Sequence, residues 1–280
     1  MRIYHAFEDW RRASDEAFRT ASVGFVPTMG ALHDGHASLI RRARQELGDG
    51  GHVVVSVYVN PTQFNDATDF ELYPSTRESD VKMAEDAGAD AVVFPRSDEL
   101  YPQGVPERAE PVDYGMLTGH WEASHRGGHF DGVVAVVRAL FRLVEPERAY
   151  FGEKDWQQLA VISELVRREF PGLTVVPVAT VREPDGLAMS SRNTRIAPRD
   201  RDAAALLYGA LHAVAEAGGT KEVVDQQTAA LRAQGWEVEY LAVVDAVTLE
   251  DAVDLARPRR VVAAGFCGGV RLIDNLRVSG

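Results

Sequence analysis

Val23-Gly24-Phe25-Val26-Pro27-Thr28-Met29-Gly30-Ala31-Leu32-His33-Asp34-Gly35-His36 is the stretch from which the fold is read. It opens on an apolar run, Val23–Val26, with the length and β-branched character of a buried strand. It runs into a helix, because Leu39, Ile40, Ala43 and Leu47 recur at the spacing of one helical face. Pro27 to His36 is therefore a strand-to-helix connection. Further along, the runs Val53–Val59, Ala91–Phe94, Arg148–Phe151 and Leu173–Val181 alternate with helical patterns. Ser75-Thr76-Arg77-Glu78 reads as a capping box opening one helix, and Gly88 stands where that helix would close. Val133–Val144 and Trp156–Phe170 supply two more. Continuous apolar strands alternating with helices require a parallel sheet covered on both faces. The expected fold class is α/β, with a Rossmann-like, doubly wound parallel sheet.

This rhythm changes twice. Pro95 to His129 is rich in Pro, Gly and His and too long for a plain connection, which points to a functional or lid-like excursion. Beyond Val181 the order becomes two helices (198–217 and 221–234) and three strands (Val238–Val244, Arg260–Phe266, Val270–Val278). A smaller C-terminal α+β domain is expected there. The expected division is 1–180 for the catalytic domain and 181–280 for a lid-like one.

The chain has 280 residues, 45% hydrophobic and 26% charged, which is ordinary for a globular protein able to bury a core. Its net charge of −12 argues against sequence-independent binding of nucleic acid, which needs clustered Lys and Arg. A local basic pocket for an anionic small molecule stays open. The lone Cys267 allows no internal disulfide and fits a reducing compartment. Met1-Arg2-Ile3-Tyr4-His5 runs into charged residues, with no apolar stretch of signal-peptide or membrane-span length. A cytoplasmic enzyme with small-molecule substrates and no membrane partner is expected.

Four stretches at strand ends could carry chemistry. In an open α/β sheet, ligands bind beyond the carboxyl ends of the strands. There His33-Asp34-Gly35-His36 would offer phosphate a helix N-terminus and imidazole N–H donors. Met189-Ser190-Ser191-Arg192-Asn193, past the last strand, joins two hydroxyls to a guanidinium, a good set for phosphate oxygens. Phe151-Gly152-Glu153-Lys154-Asp155 offers a mobile cation and an acceptor for ribose. Asn60-Pro61-Thr62-Gln63-Phe64 offers neutral amides for a hydroxylated substrate. Each alone is also a plain polar turn. In combination, the first two resemble the paired phosphate-binding signatures of the nucleotidyl-transfer superfamily.

The resemblance goes further. Thr28–His33, Asn60–Phe64, Tyr73-Pro74, His129-Phe130-x-Gly132-Val133, Phe151–Asp155, Arg182–Asn193 and Leu272-Ile273-Asp274-Asn275 are similar to the motifs of the pantothenate synthetase family, in family order. That family joins (R)-pantoate to β-alanine with ATP and Mg²⁺, through an enzyme-bound pantoyl adenylate, releasing AMP and pyrophosphate. The resemblance implies that Met29, Gly30, Ala31, Leu32, His33, Asp34, Gly35 and His36 bind ATP, with His36 in the acid role. It implies that Gly152, Glu153, Lys154 and Asp155 hold ribose and phosphate, and that Val181 with Met189, Ser190, Ser191 and Arg192 completes the nucleotide site. His33, His36, Lys154 and Arg192 form the implied catalytic set. Gln63 and Gln158 would hold pantoate, joined in substrate binding by Asn60, Tyr73, Arg126 and His129. Asp80 is the implied magnesium ligand, and a homodimer the implied assembly. Three positions depart from the family: Ser75 where a basic residue is usual, Ser79-Asp80 where two adjacent acids often stand, and Asp131 after His129-Phe130. Two rival readings are a nucleotidyl transferase acting on a phosphate ester and a zinc hydrolase using His33 and His36 with His120, His125 or His129. A non-catalytic nucleotide sensor is a third.

Overall fold

The computed structural model describes residues 1–13, 21–65, 70–71, 73–252 and 254–279. The first sheet comprises β1 (Arg2–Tyr4), β2 (Val23–Thr28), β3 (His52–Val57), β4 (Ala91–Val93), β5 (Arg148–Gly152) and β6 (Thr174–Val178). Its strand order is β1-β4-β3-β2-β5-β6, and every pairing is parallel.

The double winding follows from the period of a strand, in which successive side chains point to opposite faces. Phe25, Val54, Val93, Ala149 and Phe151 pack with α1 (Phe7–Ala13), α4 (His129–Val144) and α5 (Trp156–Glu169). Their neighbours Val26, Val53, Val55, Val92 and Tyr150 pack on the other face with α2 (Asp34–Leu47) and α3 (Arg77–Asp86). Each large apolar side chain sealed in this way contributes about 1.5–3 kcal/mol. The chain winds outward in both directions from β2, so the switch point lies between β2 and β5.

The remaining sheet is antiparallel, with β7 (Glu237–Asp245), β8 (Arg259–Cys267) and β9 (Val270–Arg277) in that order. It packs on α6 (Arg201–Glu216) and α7 (Lys221–Ala233) around Leu207, Leu211, Val261 and Leu272.

Three details differ from the sequence reading. β1 and α1 escaped it because charged residues surround them. Phe7 and Trp10 are nonetheless core residues, and Glu99 Oε1 accepts the Phe7 and Glu8 N–H groups at 2.9 and 3.2 Å. Ser75 does not cap α3; Thr76 stands at the cap, and its Oγ1 donates to Asp80 Oδ1 at 3.0 Å instead. The 95–129 excursion folds into short turns at Ser97–Leu100, Met116–Gly119 and Glu122–His125. The last two face the second sheet: Trp121 Nε1 donates to Leu249 O at 2.9 Å, and buried Glu122 pairs with Arg271 at 2.6 Å. Asp131 has a local use, since its Oδ1 accepts the Val112 N–H at 2.8 Å.

Candidate active site

The connection after β2 is shaped by backbone demands. Gly30 (φ 83°) and Ala31 (φ 50°) both lie in the left-handed region, which a side chain at position 31 tolerates at some cost. The turn is held by Asp80, which is buried and accepts the Ala31 N–H at 3.1 Å and the Leu32 N–H at 2.8 Å. A Cβ at position 30 would stand 3.0 Å from both Asp80 Oδ2 and Val57 Cγ1, a tight fit that together with the positive φ favours glycine there.

α2 is then capped by its own histidines. The Gly35 N–H donates to His33 Nδ1 at 3.1 Å, and the His33 N–H donates to His36 Nδ1 at 3.3 Å. Both Nδ1 atoms are therefore acceptors, and each neutral ring carries its proton on Nε2. Burial and the neighbouring His33 and Lys154 push the His36 pKa down to about 3; burial and Lys154 also lower that of His33. At neutral pH the pair presents two uncharged N–H donors beside a helix N-terminus.

Those rings form one wall of an open cleft at the switch point. Met29 and Gly35 line it on the same side, while Gly152, Lys154, Asp155 and Gln158 line it beyond β5. Lys154 Nζ lies 3.9 Å from Asp155 Oδ2. Val181, Met189, Ser190, Ser191 and Arg192 close the third side. Ser190 caps the turn Ser191–Arg195, its Oγ accepting the Arg192 N–H at 3.2 Å. Tyr73 lines the cleft with its hydroxyl hydrogen-bonded to Ser191, and burial raises its pKa. The floor is apolar, made by Val133, Val136, Val137, Leu140 and Ile162.

Other expected site residues sit outside this cleft. Gly30, Ala31 and Leu32 lie on the Asp80 side of the turn, Asp34 is exposed, and Glu153 pairs with Arg260 at 3.1 Å. Asn60, 1% exposed, is a brace: it donates to Gly132 O at 3.1 Å and Gln63 Oε1 at 3.2 Å and accepts from the Tyr101 hydroxyl at 2.8 Å. His129 is likewise engaged at both nitrogens. Arg126 can only donate, so His129 Nε2 accepts from it at 3.1 Å, and Nδ1–H donates to Gln63 O at 2.8 Å. Burial and Arg126 push the His129 pKa down to about 3. This chain fixes Gln63, which does line the cleft; Arg126 and His129 border an adjoining cavity with Trp121 and Tyr240.

Asp80, the implied magnesium ligand, is engaged in the turn: its Oδ1 accepts from the Leu32 N–H and the Thr76 hydroxyl and its Oδ2 from the Ala31 N–H. Among the described residues no three His, Cys, Asp or Glu side chains converge as a metal cage. The zinc reading of the histidines loses its ligand set in the same way. Thr28, quoted in the sequence only as part of a motif, has a local role: its Oγ1 accepts the Gly30 N–H at 3.2 Å and donates to Ser56 O at 2.8 Å, shaping the turn.

A family model described as pantoate-beta-alanine ligase matches residues 2–277. A pantothenate synthetase of Rubrobacter xylanophilus is 48% identical over 266 residues, 91% of this chain and 90% of that one. One of Bdellovibrio bacteriovorus is 43% identical over 278 residues, covering 99% and 98%. Among solved structures, the pantothenate synthetase of Thermus thermophilus matches with a TM-score of 0.90 and 44% identity over the whole of both chains. The pantoate-beta-alanine ligase of Francisella tularensis, complexed with beta-gamma ATP and beta-alanine, matches with a TM-score of 0.82 and 31% identity, over 100% of this chain and 99% of that one.

Proposed function

The chain belongs to the pantoate-beta-alanine ligase family, and we infer that its cleft activates pantoate with ATP and passes the acyl group to β-alanine. The observation that carries the site assignment is convergence: two neutral imidazole donors, Lys154 and the Ser190–Arg192 loop line one cleft at the switch point. In the first step a pantoate carboxylate oxygen attacks the α-phosphorus, the bond to the β-phosphate oxygen breaks, and pyrophosphate leaves. Negative charge grows on the departing group, where preorganised donors give their largest benefit. His33 and His36 act there as neutral hydrogen-bond donors, and Lys154 and Arg192 as cations. In the second step the β-alanine nitrogen attacks the acyl carbon of the adenylate, and AMP leaves.

Gln63 and Gln158 are assigned to the hydroxyl and carboxylate oxygens of pantoate. The apolar floor from α4 and α5 suits its paired methyl groups. Asn60 and His129 serve substrate binding through Gln63 and do not touch it. Magnesium, in keeping with its habit of binding through phosphates and few protein ligands, would travel with the nucleotide; Asp80 is assigned to the turn. Residues 1–180 are assigned to the catalytic domain and 181–280 to the C-terminal one. A homodimer in the cytoplasm completes the proposal, supported by family resemblance and by the lone, buried Cys267.

The test is exchange of labelled pyrophosphate into ATP. It is expected with pantoate and Mg²⁺ present and β-alanine absent, and not without pantoate. Exchange that demanded β-alanine would exclude the adenylate route.

A further inference from the structure

Leu272-Ile273-Asp274-Asn275 stands out in β9 because two polar residues, each 4% exposed, interrupt an apolar strand far along the chain from the phosphate-facing loops. Neighbours on a strand point to opposite faces, and these two reach different loops.

Asn275 points toward the first sheet. Its Nδ2 donates to Glu153 O and to Lys154 O, each at 2.9 Å, so both amide hydrogens hold the backbone that carries Lys154. Its Oδ1 accepts from Arg260, whose guanidinium lies 3.4 Å from the Trp156 ring centre and pairs with Glu153. Asp274 points the other way. It grips Arg182 with both oxygens, at 2.6 and 3.1 Å, and its Oδ1 also accepts the Asn275 N–H at 2.8 Å. Arg182 stands at the root of the loop that ends in Ser190–Arg192. It lies 4.1 Å over the Tyr208 ring and donates to Gly186 O at 3.1 Å, while Met189 N bonds Val181 O at 2.9 Å.

We propose that Asp274 and Asn275 are positioning residues that hold Lys154 and the Ser190–Arg192 loop in register, so that both close on one polyphosphate. The proposal rests on the roles given above to Lys154 and Arg192. Neither residue of the pair touches the substrate. A loop displaced by about 1 Å can lower a rate by about a hundredfold, so two buried side chains at the loop roots have leverage on the chemistry.

Because the clamp acts on groups that face pyrophosphate, its loss should slow adenylation and spare the second step, in which no pyrophosphate leaves. For Asn275→Ala and Asp274→Asn, pyrophosphate exchange is expected to fall by about ten- to a hundredfold. Aminolysis of supplied pantoyl adenylate by β-alanine should stay within about twofold, well inside the adenylation loss. Asn275→Ser, which can keep one donor, should recover part of the exchange and guards against a variant that fails to fold. In a Lys154→Ala background, Asn275→Ala should add little further loss, whereas Asp274→Asn should still do so. Equal losses in both half-reactions, or full additivity of Asn275→Ala with Lys154→Ala, would overturn the clamp. Unchanged exchange in Lys154→Ala alone would instead overturn the role of Lys154 itself.

Discussion

The two phosphate-facing loops, 29–36 and 182–193, do similar work and are held in different ways. The first is fixed from within its own sheet. Buried Asp80 holds two consecutive N–H groups of a left-handed turn, and two histidines cap the following helix, His33 Nδ1 accepting the Gly35 N–H and His36 Nδ1 the His33 N–H. The second is tied to the C-terminal elements, through Arg182 to Asp274 and through Glu183 and Asp185 to Arg201 on α6, at 2.6 and 2.7 Å. The first loop is therefore anchored on the parallel sheet and the second is tied to the antiparallel unit. The donor geometry of the first loop is fixed by hydrogen bonds within the chain.

The sharpest break in that comparison is the removal of a preset donor. His36→Ala should lower pyrophosphate exchange by about 10²–10³-fold, the usual cost of one preorganised donor at developing charge. The fold should survive, because His36 is only half-buried and α2 keeps Ala37, Leu39, Ile40 and Ala43 in the core. His36→Gln sharpens the point. An amide offers a neutral N–H and cannot act as an acid, so it should regain part of the loss if the ring works as a neutral donor. Near-parent exchange in His36→Ala would remove the assigned role, and equal exchange in the two variants would remove the donor account.

Second in size is Asp80→Ala, which strikes the turn and not the chemistry. It leaves the Ala31 and Leu32 N–H groups without their acceptor around a residue at positive φ. Such a loss costs about 1–3 kcal/mol for a fully buried group, and these part-buried groups should lie at the low end, about 1 kcal/mol each. Urea unfolding should show this cost, and exchange should fall about tenfold or more as the donors lose their alignment. Unchanged stability would mean that the turn is held without Asp80.

The sequence disclosed what repeats and what has a local pattern. The apolar periods gave β2 to β6, the long helices and the three antiparallel strands, with bounds shifted by a residue or a few. The cleft residues His33, His36, Lys154 and Ser190–Arg192 were legible because they fall in short motifs at strand ends. Long-range partnerships were not. Asp80 was singled out through the family resemblance alone, because nothing nearby in sequence reveals that its carboxylate faces residues 31 and 32. The long-range bonds of Asn60 to Gly132 and of His129 to Gln63, 72 and 66 residues apart, are brought together only by the fold. The Asp274-Asn275 pair did leave a signal, polarity in a buried strand, but its partners lie about 90 and 120 residues away, at |i−j| of 92 and 121.

The smallest effect should come from the outer tie of the second loop. Arg201 donates through Nε to Asp185 and through Nη2 to Glu183, and all three side chains keep about a quarter to a third of their surface in water. Solvent and salt screen such a pair, so it typically contributes about 0–1 kcal/mol. Arg201→Ala should therefore lower unfolding free energy by no more than about 1 kcal/mol, and less at high salt. Pyrophosphate exchange should change by about twofold or less, within the span set by that free energy. The Asp185 carboxylate, now held below its usual range first by Arg201, should titrate higher in the variant. A nuclear magnetic resonance titration of that carboxyl would show the lost contact even where stability barely moves. If Arg201→Ala cost as much as Asp80→Ala, the outer tie would hold the second loop as stiffly as Asp80 holds the first, and the contrast between a turn fixed by a buried carboxylate and an outer tie made of screened charges would fail.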